Sequence, residues 1–371
     1  MARERRERVE LEEDRFVEAI TGAYEFLREH STLITIAVAV LAVALIGFSV
    51  YSRIEASREA SAALAFSEAM KLFQEAEDSW ADEEKMDEAA KKYEEAREKF
   101  QEIADKYGRT SYAEKALFFA GKCSLQLGEY DKAIEIFGRL ASRGKSFFAL
   151  YAQQALGKCF EEKGDLKAAI AEYDDSKYER FKDLPEYGFT IAEVLMSRAR
   201  CRERLGEIDG AISDYERLVR MFEANLRKAV KRKSAELIEG LKSMMKEILK
   251  ESPPSERVSS ILREAESLER QGMKLEALKG YVRALREFRA EGESKGTLPL
   301  SLHRRITRAL RRAEEFLRDL RDGDEKLAEG RISSALSSYD RAVGLTFPPG
   351  RDLFEKASLK LRELKGLAAS R

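Results

Sequence analysis

Three thiols and three cations recur side by side along the chain, as Lys122–Cys123, Lys158–Cys159 and Arg200–Cys201. Each pair sits in a related stretch: GKCSLQLGEYDKAIEIF at 121–137, GKCFEEKGDLKAAIAEY at 157–173 and ARCRERLGEIDGAISDY at 199–215. Cysteines at equivalent positions could form a metal or thiol ladder. Geometry argues otherwise: the equivalent sites fall on different helices, packed helices lie about 8–10 Å apart, and a disulfide needs Cα atoms within about 7 Å. With only 2 histidines in 371 residues, no second ligand type converges on the thiols. The pattern predicts buried cysteines acting as small apolar residues, with no metal and no cofactor. The cations Lys122, Lys158 and Arg200 would line up and favour an acidic segment or a terminal carboxylate; the plainer alternative is a solvated charged surface. Later copies place Glu266 and Asp324 at this position, so any basic row is local.

Two denser basic clusters stand apart, one of Arg227, Lys228, Lys231, Arg232 and Lys233, the other of Arg304, Arg305, Arg308, Arg311 and Arg312. The first could hold anionic lipid or an acidic partner. Glu236, Glu239, Glu314 and Glu315 dilute both, so each reads as a charged helix face, with His303 a surface neighbour. There is no phosphate loop, dinucleotide fingerprint or nucleophile–base arrangement. Lys and Arg total 67 against 68 Asp and Glu, a net charge of -1, which leaves no basic footprint for nucleic acid. The chain reads as non-enzymatic.

The elements that must position these residues are helices. The chain has 22 glycines and only 6 prolines, against a background rich in Glu, Lys, Arg, Ala and Leu. An alanine with an aromatic residue four positions later recurs as Ala96/Phe100, Ala133/Phe137, Ala169/Tyr173, Ala211/Tyr215, Ala277/Tyr281 and Ala335/Tyr339. Gly128, Gly164, Gly206, Gly272 and Gly330 precede the last five alanines. Glycine at that place ends one helix in a left-handed turn, and a second helix starts at once. The small alanine lets paired helices approach, and the aromatic one turn later fills the space beside it. The gap between Ala211 and Ala277 predicts a further, degenerate helix pair in 220–250.

One stretch breaks the charged background. Ser31 to Ser52 holds no charged residue, and its core reads LITIAVAVLAVALIGFSVY. About 20 helical residues cover the hydrocarbon layer of a bilayer, so the run predicts an uncleaved transmembrane helix. Arg3, Arg5, Arg6, Arg8, Arg15 and Arg28 precede it, while only Arg53 and Arg58 follow closely, which places the N-terminus in the cytoplasm and the repeats outside. Phe16, Ile20, Ala23 and Leu27 recur at helical spacing before the span and predict an amphipathic helix in the arm.

The helix-pair residues resemble the tetratricopeptide repeat, W-x2-L-G-x2-Y…A-x3-F…P. The fullest match is Leu156, Gly157, Phe160, Ala169 and Tyr173, with Leu117 and Gln153 at the tryptophan position. The run FQEIADKYGRTSYAEKALFFAGKC at 100–123 is similar to repeats of bacterial envelope proteins, the outer-membrane assembly lipoproteins and the cell-division coordinator type. The plan of short arm, single anchor and outward repeats resembles the ancillary subunit of the bacterial Sec translocon, whose periplasmic repeats contact chaperones and translocating chains. The resemblance implies an all-α solenoid of helix pairs in which Lys122, Lys158 and Arg200 face a concave groove, with Phe118, Tyr151, Gln154 and Met196 beside them. The family's carboxylate-clamp variants carry asparagine where these cations stand, so that ligand class is not implied.

The expected organisation is a cytoplasmic arm at 1–30, a transmembrane helix at 31–52, a first repeat block at 53–250, a second at 256–345 and a capping helix at 351–371. Lys356, Lys360, Arg362 and Lys365 would give that last helix the polar outer face an end unit needs. The expected function is a membrane-anchored scaffold for protein partners, acidic or extended segments among them, accessory to protein export or envelope assembly. The alternatives are a structural part of a larger envelope machine, flagellar or secretory, and a regulator or hydrolase docked through the repeats. Its other contact is the lipid bilayer, through 31–52; repeats of this kind also permit self-association.

Overall fold

The computed structural model describes residues 30–369. The amphipathic arm helix expected before residue 30 lies outside the described residues. The described chain is all-α, without a strand, and forms two compact units that divide between Leu127 and Gly128.

Among its described residues, the first unit has the helices α1 (Ser31–Trp80), α2 (Met86–Lys106) and α3 (Ser111–Gln126). The apolar run and the segment after it form one uninterrupted helix, because no glycine pair or proline separates them. The stripe of α1 that packs is Ala62, Phe66, Ala69, Phe73 and Ala76, and it meets Ala89, Tyr93, Ala96 and Phe100 of α2. Both stripes step by four and three residues, the spacing that keeps side chains on one helix face. Alanines admit the partner helix, and aromatics fill what remains: Phe66 and Phe100 have ring centres 5.4 Å apart, Phe73 and Tyr93 5.6 Å, and Trp80 and Tyr93 5.3 Å. After Trp80 the chain turns through Asp82, whose carboxylate accepts from the Glu84 amide at 3.1 Å. Such a bond satisfies an amide left open at the start of the next helical turn.

The second unit begins with α4 (Tyr130–Ser142), α5 (Phe147–Lys163), α6 (Leu166–Glu172), the single-turn α7 (Asp175–Tyr178) and α8 (Tyr187–Leu205). Ser146 caps α5 through the Ala149 amide, and Asp165 caps α6 through the Ala168 amide. Then comes α9 (Ile208–Glu251), followed by α10 (Glu256–Arg270), α11 (Lys274–Ser294), α12 (Leu300–Ala328), α13 (Ile332–Val343) and α14 (Arg351–Ala369). Helix pairs α10/α11 and α12/α13 repeat the glycine-hinged plan.

Two features correct the sequence expectation. The 220–250 region is not a degenerate helix pair but the continuation of α9, which spans 44 residues, about 66 Å at 1.5 Å per residue. Its buried side shifts round the helix, from Leu218 and Phe222, which pack with α14, to Ile238, Leu241, Met245 and Ile248, which pack with α10 to α12, and the backbone stays helical between them. The helix stops where Pro253 and Pro254 deny it a backbone donor. The second feature is α14, which lies along α8, α9 and α13 rather than at a free end. Phe354, Ala357 and Leu364 are its buried face. Three of the cations expected on an outer face hold it in place: Lys365 meets Glu216 at 2.8 Å, Lys360 meets Glu203 at 3.4 Å, and Arg362 donates to the Gly330 carbonyl at 3.1 Å.

Candidate functional site

The frame for any site is the glycine–alanine–aromatic unit. Gly128, Gly164, Gly206, Gly272 and Gly330 have φ between 72° and 86°, a region costly for residues with a Cβ. Ala133, Ala169, Ala211, Ala277 and Ala335 are wholly buried, as are Ala96 and the ring of Phe100. Phe137, Tyr173, Tyr215, Tyr281 and Tyr339 are buried beside them. Each of these four tyrosines has an acceptor on the preceding helix. The phenols donate to Glu161 (3.4 Å), Glu203, Glu269 (2.9 Å) and Asp324 (2.7 Å) respectively. Where the aromatic is Phe137, no acceptor is required. Burial first, and the nearby carboxylates after it, push all four phenols well above their ordinary range, so they stay protonated donors.

The three cysteines are free and buried. Burial pushes the Cys123 and Cys159 thiols up to about 12 and the Cys201 thiol up to about 11. A thiol so placed carries almost no thiolate at neutral pH and is a poor nucleophile and metal ligand. Among the described residues, no group of three or more His, Cys, Asp or Glu side chains is placed to hold a metal.

The cations sit differently from one another. Lys122, on α3 in the first unit, lies 5.0 Å from the Phe73 ring centre, 5.5 Å from that of Phe119 and 3.8 Å from Glu77. Its charge is already engaged by aromatic faces. Phe118, on the same helix, is half-buried edge-on against Phe119. In the second unit, Lys158 on α5 and Arg200 on α8 are exposed, and Arg200 donates to Ser197 at 3.1 Å. α5 and α8 pack together, and Gln154 of α5 donates to Glu193 of α8 at 2.8 Å. Tyr151 is half-buried with its ring 4.5 Å from that of Phe147, and burial, followed by Glu193 and Glu186, raises its phenol. Met196 is 6% exposed and belongs to the core of this region, so it offers no surface anchor. The α5/α8 face therefore mixes two cations with Glu193 rather than presenting a purely basic row.

Residues 24–187 match the family model of the tetratricopeptide repeat-like domain. The matched span takes in Lys122, Cys123, Lys158, Cys159 and the fullest repeat unit, Gly157 to Tyr173. No curated protein matches the chain. A tetratricopeptide repeat-like domain is an interaction scaffold for proteins and is typically non-catalytic. Beyond the matched span, the repeat-like pattern continues in α8/α9, α10/α11 and α12/α13.

The sequence reading missed a buried charge cluster in the third copy of the repeat. Arg198 and Asp214 are 5% and 3% exposed and pair at 2.7 Å. A signal was present. The equivalent positions hold Ala120 and Ile136 in the first copy, Leu156 and Glu172 in the second, and two opposite charges only in the third. The basic clusters are partly neutralised: Lys233 pairs with Glu236 at 2.9 Å, Arg305 with Glu247, and His303 approaches Glu293 at 3.0 Å.

Proposed function

We propose that the protein is a membrane-anchored repeat scaffold that holds protein partners beside the membrane, on its outer side. One observation carries this reading. α1 is a single helix whose first half shows apolar side chains on all sides, with Leu33 66%, Val43 71% and Phe48 70% exposed. Farther along, the same helix buries its stripe in the first unit. It is long and apolar enough to cross a membrane, and none of its most apolar window is covered by the protein. Uncovered apolar surface on this scale calls for a lipid or protein cover, and the length suits a bilayer. The repeat-like match over residues 24–187 supports the scaffold half of the reading. Stacked helix pairs present extended surface, and anchoring raises the local concentration of whatever they hold. The excess of arginine before the span supports a cytoplasmic N-terminus. Within this reading, a role accessory to protein export or envelope assembly fits best.

Fusing alkaline phosphatase to the C-terminus tests the topology, since that enzyme is active only after export. An active fusion in the membrane fraction supports the reading; a silent one, beside an active cytoplasmic reporter at the same site, reverses it. Co-purification in mild detergent tests the role: translocon subunits or chaperones support it, and motor or secretion-ring proteins replace it with the envelope-machine alternative.

A further inference from the structure

A basic groove of about 740 Å³ runs between α11 and α12. From α11 come Lys279, Arg283, Arg286 and Arg289, whose spacing of four, three and three residues puts them on one helix face. From α12 come Arg311, Arg318 and Arg321. Between the two rows lie the half-buried Leu317 and, beneath the surface, the core residues Val282 and Leu310, 3% and 1% exposed. Only Glu314 and Glu315 bring negative charge, and Glu314 is engaged by Arg286 at 2.6 Å. Arg289 turns to Glu293 at 3.6 Å, and Arg318 to Asp319 at 3.8 Å. Arg283, Arg311 and Arg321 are exposed and make no ion pair among the described residues.

Unneutralised guanidinium groups above a low-dielectric floor concentrate positive potential and draw in anions. Guanidinium forks suit carboxylates, which they can hold in two-pronged pairs. Half-buried Leu317 selects further, because it rewards an occupant with hydrophobic side chains next to its acidic ones. Nucleic acid fits poorly: no aromatic side chain lines the groove for base stacking, and Glu314 and Glu315 would face the phosphates. A bilayer is flat and cannot follow a groove between two helices.

We propose that the groove between α11 and α12 binds an acidic, amphipathic segment of a partner protein, its carboxylates on Arg283, Arg311 and Arg321 and its apolar side chains against the half-buried Leu317. This rests on the scaffold reading and names the chemistry of the partner. The cationic stretch of α11 from Lys279 to Arg289 is about 15 Å long, which matches about three turns of a bound helix.

The test uses the full chain in detergent and a fluorescein-labelled helical peptide of glutamate and leucine. Anisotropy should report binding at low salt that weakens as salt screens the pairs. The triple variant Arg283→Glu, Arg311→Glu, Arg321→Glu should bind at least about tenfold more weakly, the effect of losing several exposed ion pairs together. A matching peptide with lysine for glutamate should not bind. If charge reversal disturbs the fold, as circular dichroism would show, the glutamine triple variant removes charge at good helix propensity and should show the same weakening. Equal binding by a folded triple variant overturns the proposal, as does no binding by the unaltered chain. Preferential capture of phosphatidylglycerol vesicles or an oligothymidylate, lost in the variant, overturns it in favour of those ligands. None of these failures touches the topology fusion or whole-chain co-purification, on which the scaffold reading stands.

Discussion

Arg198 and Asp214 face each other across α8 and α9 and lock in a two-pronged ion pair, Nε donating to Oδ2 at 3.0 Å and Nη2 to Oδ1 at 2.7 Å. The remaining prong, Nη1, donates at 3.0 Å to the carbonyl of Tyr173, at the C-terminal end of α6. That carbonyl has no partner within its own helix, and the helix end is partially negative, so the buried cation serves a third element. Arg202 adds a second donor to Asp214 at 2.5 Å.

Breaking this pair from one side should cost far more than replacing it. Asp214→Ala strands a buried guanidinium and should lower stability by about 3–5 kcal/mol. Arg198→Leu together with Asp214→Ile, apolar at both positions like Ala120 and Ile136 of the first copy, should cost clearly less than the single change. Thermal unfolding of the three proteins measures the difference; equal losses would show that the pair is not isolated from water.

Glycine at 157 is required by a neighbour rather than by a turn. A Cβ there would stand 2.3 Å from the Tyr173 ring, while one at Gly138, inside α4, would meet nothing within 4 Å. Gly157→Ala should therefore destabilise by about 1–3 kcal/mol through overpacking. Gly138→Ala should be neutral or gain about 0.5–1 kcal/mol from helix propensity. Denaturant midpoints of the two variants should move in opposite directions.

Phe354 stacks on Phe222 with ring centres 4.0 Å apart and planes at 26°. Phe354→Ala should cost about 3–5 kcal/mol, the usual loss for a buried aromatic. Hydrogen exchange should speed up in α14 and the part of α9 it covers before it does in α10–α13. Uniform acceleration would mean that α14 is not a separate fastening.

The cysteines should resist alkylation. With thiols near 11–12 and no exposed sulfur, iodoacetamide at neutral pH should label Cys123, Cys159 and Cys201 only as fast as the protein opens. Labelling within minutes under native conditions would place a thiol at the surface.

Glu269 gives stability an acid limit. Burial would raise its carboxyl, but Lys274 at 3.0 Å, the Tyr281 hydroxyl and Lys242 outweigh burial and hold it below the ordinary 4.5. A depressed carboxyl stabilises the fold above its unfolded value, and that share is lost as pH falls from about 4.5 through the folded value. Glu269→Gln should lower stability at pH 7 and shrink the loss seen on acidification below about 4.5. Unfolding midpoints across that range should converge for the two proteins at the acid end.

The helix pairs were legible because their signals are local. A left-handed glycine, an alanine at a helix contact and an aromatic one turn later lie within ten residues of each other, and each answers a steric need of its own turn. The long apolar run was legible for the same reason, since length and lack of charge are properties of the run alone. Local signals also set the limit. The region 220–250 was expected to be a helix pair from repeat arithmetic, yet without a glycine or proline turn the backbone simply continues its hydrogen bonds and α9 stays one helix.

Long-range pairings were decided by the tertiary structure. Asn225 reaches the Pro348 carbonyl at 2.6 Å across 123 residues, and Lys360 reaches Glu203 across 157. Nothing in the sequence around α14 says whether its cations face water or a partner helix, because amphipathic spacing gives a helix an apolar face without naming what covers it. The same holds for the arginines of the groove, of which only Arg311 belongs to a basic cluster visible in the sequence. Their charge was plain, but ion pairs form between side chains from different helices, so only the packing of α11 against α12 determines that Arg286 finds Glu314 while Arg283, Arg311 and Arg321 are left facing a groove.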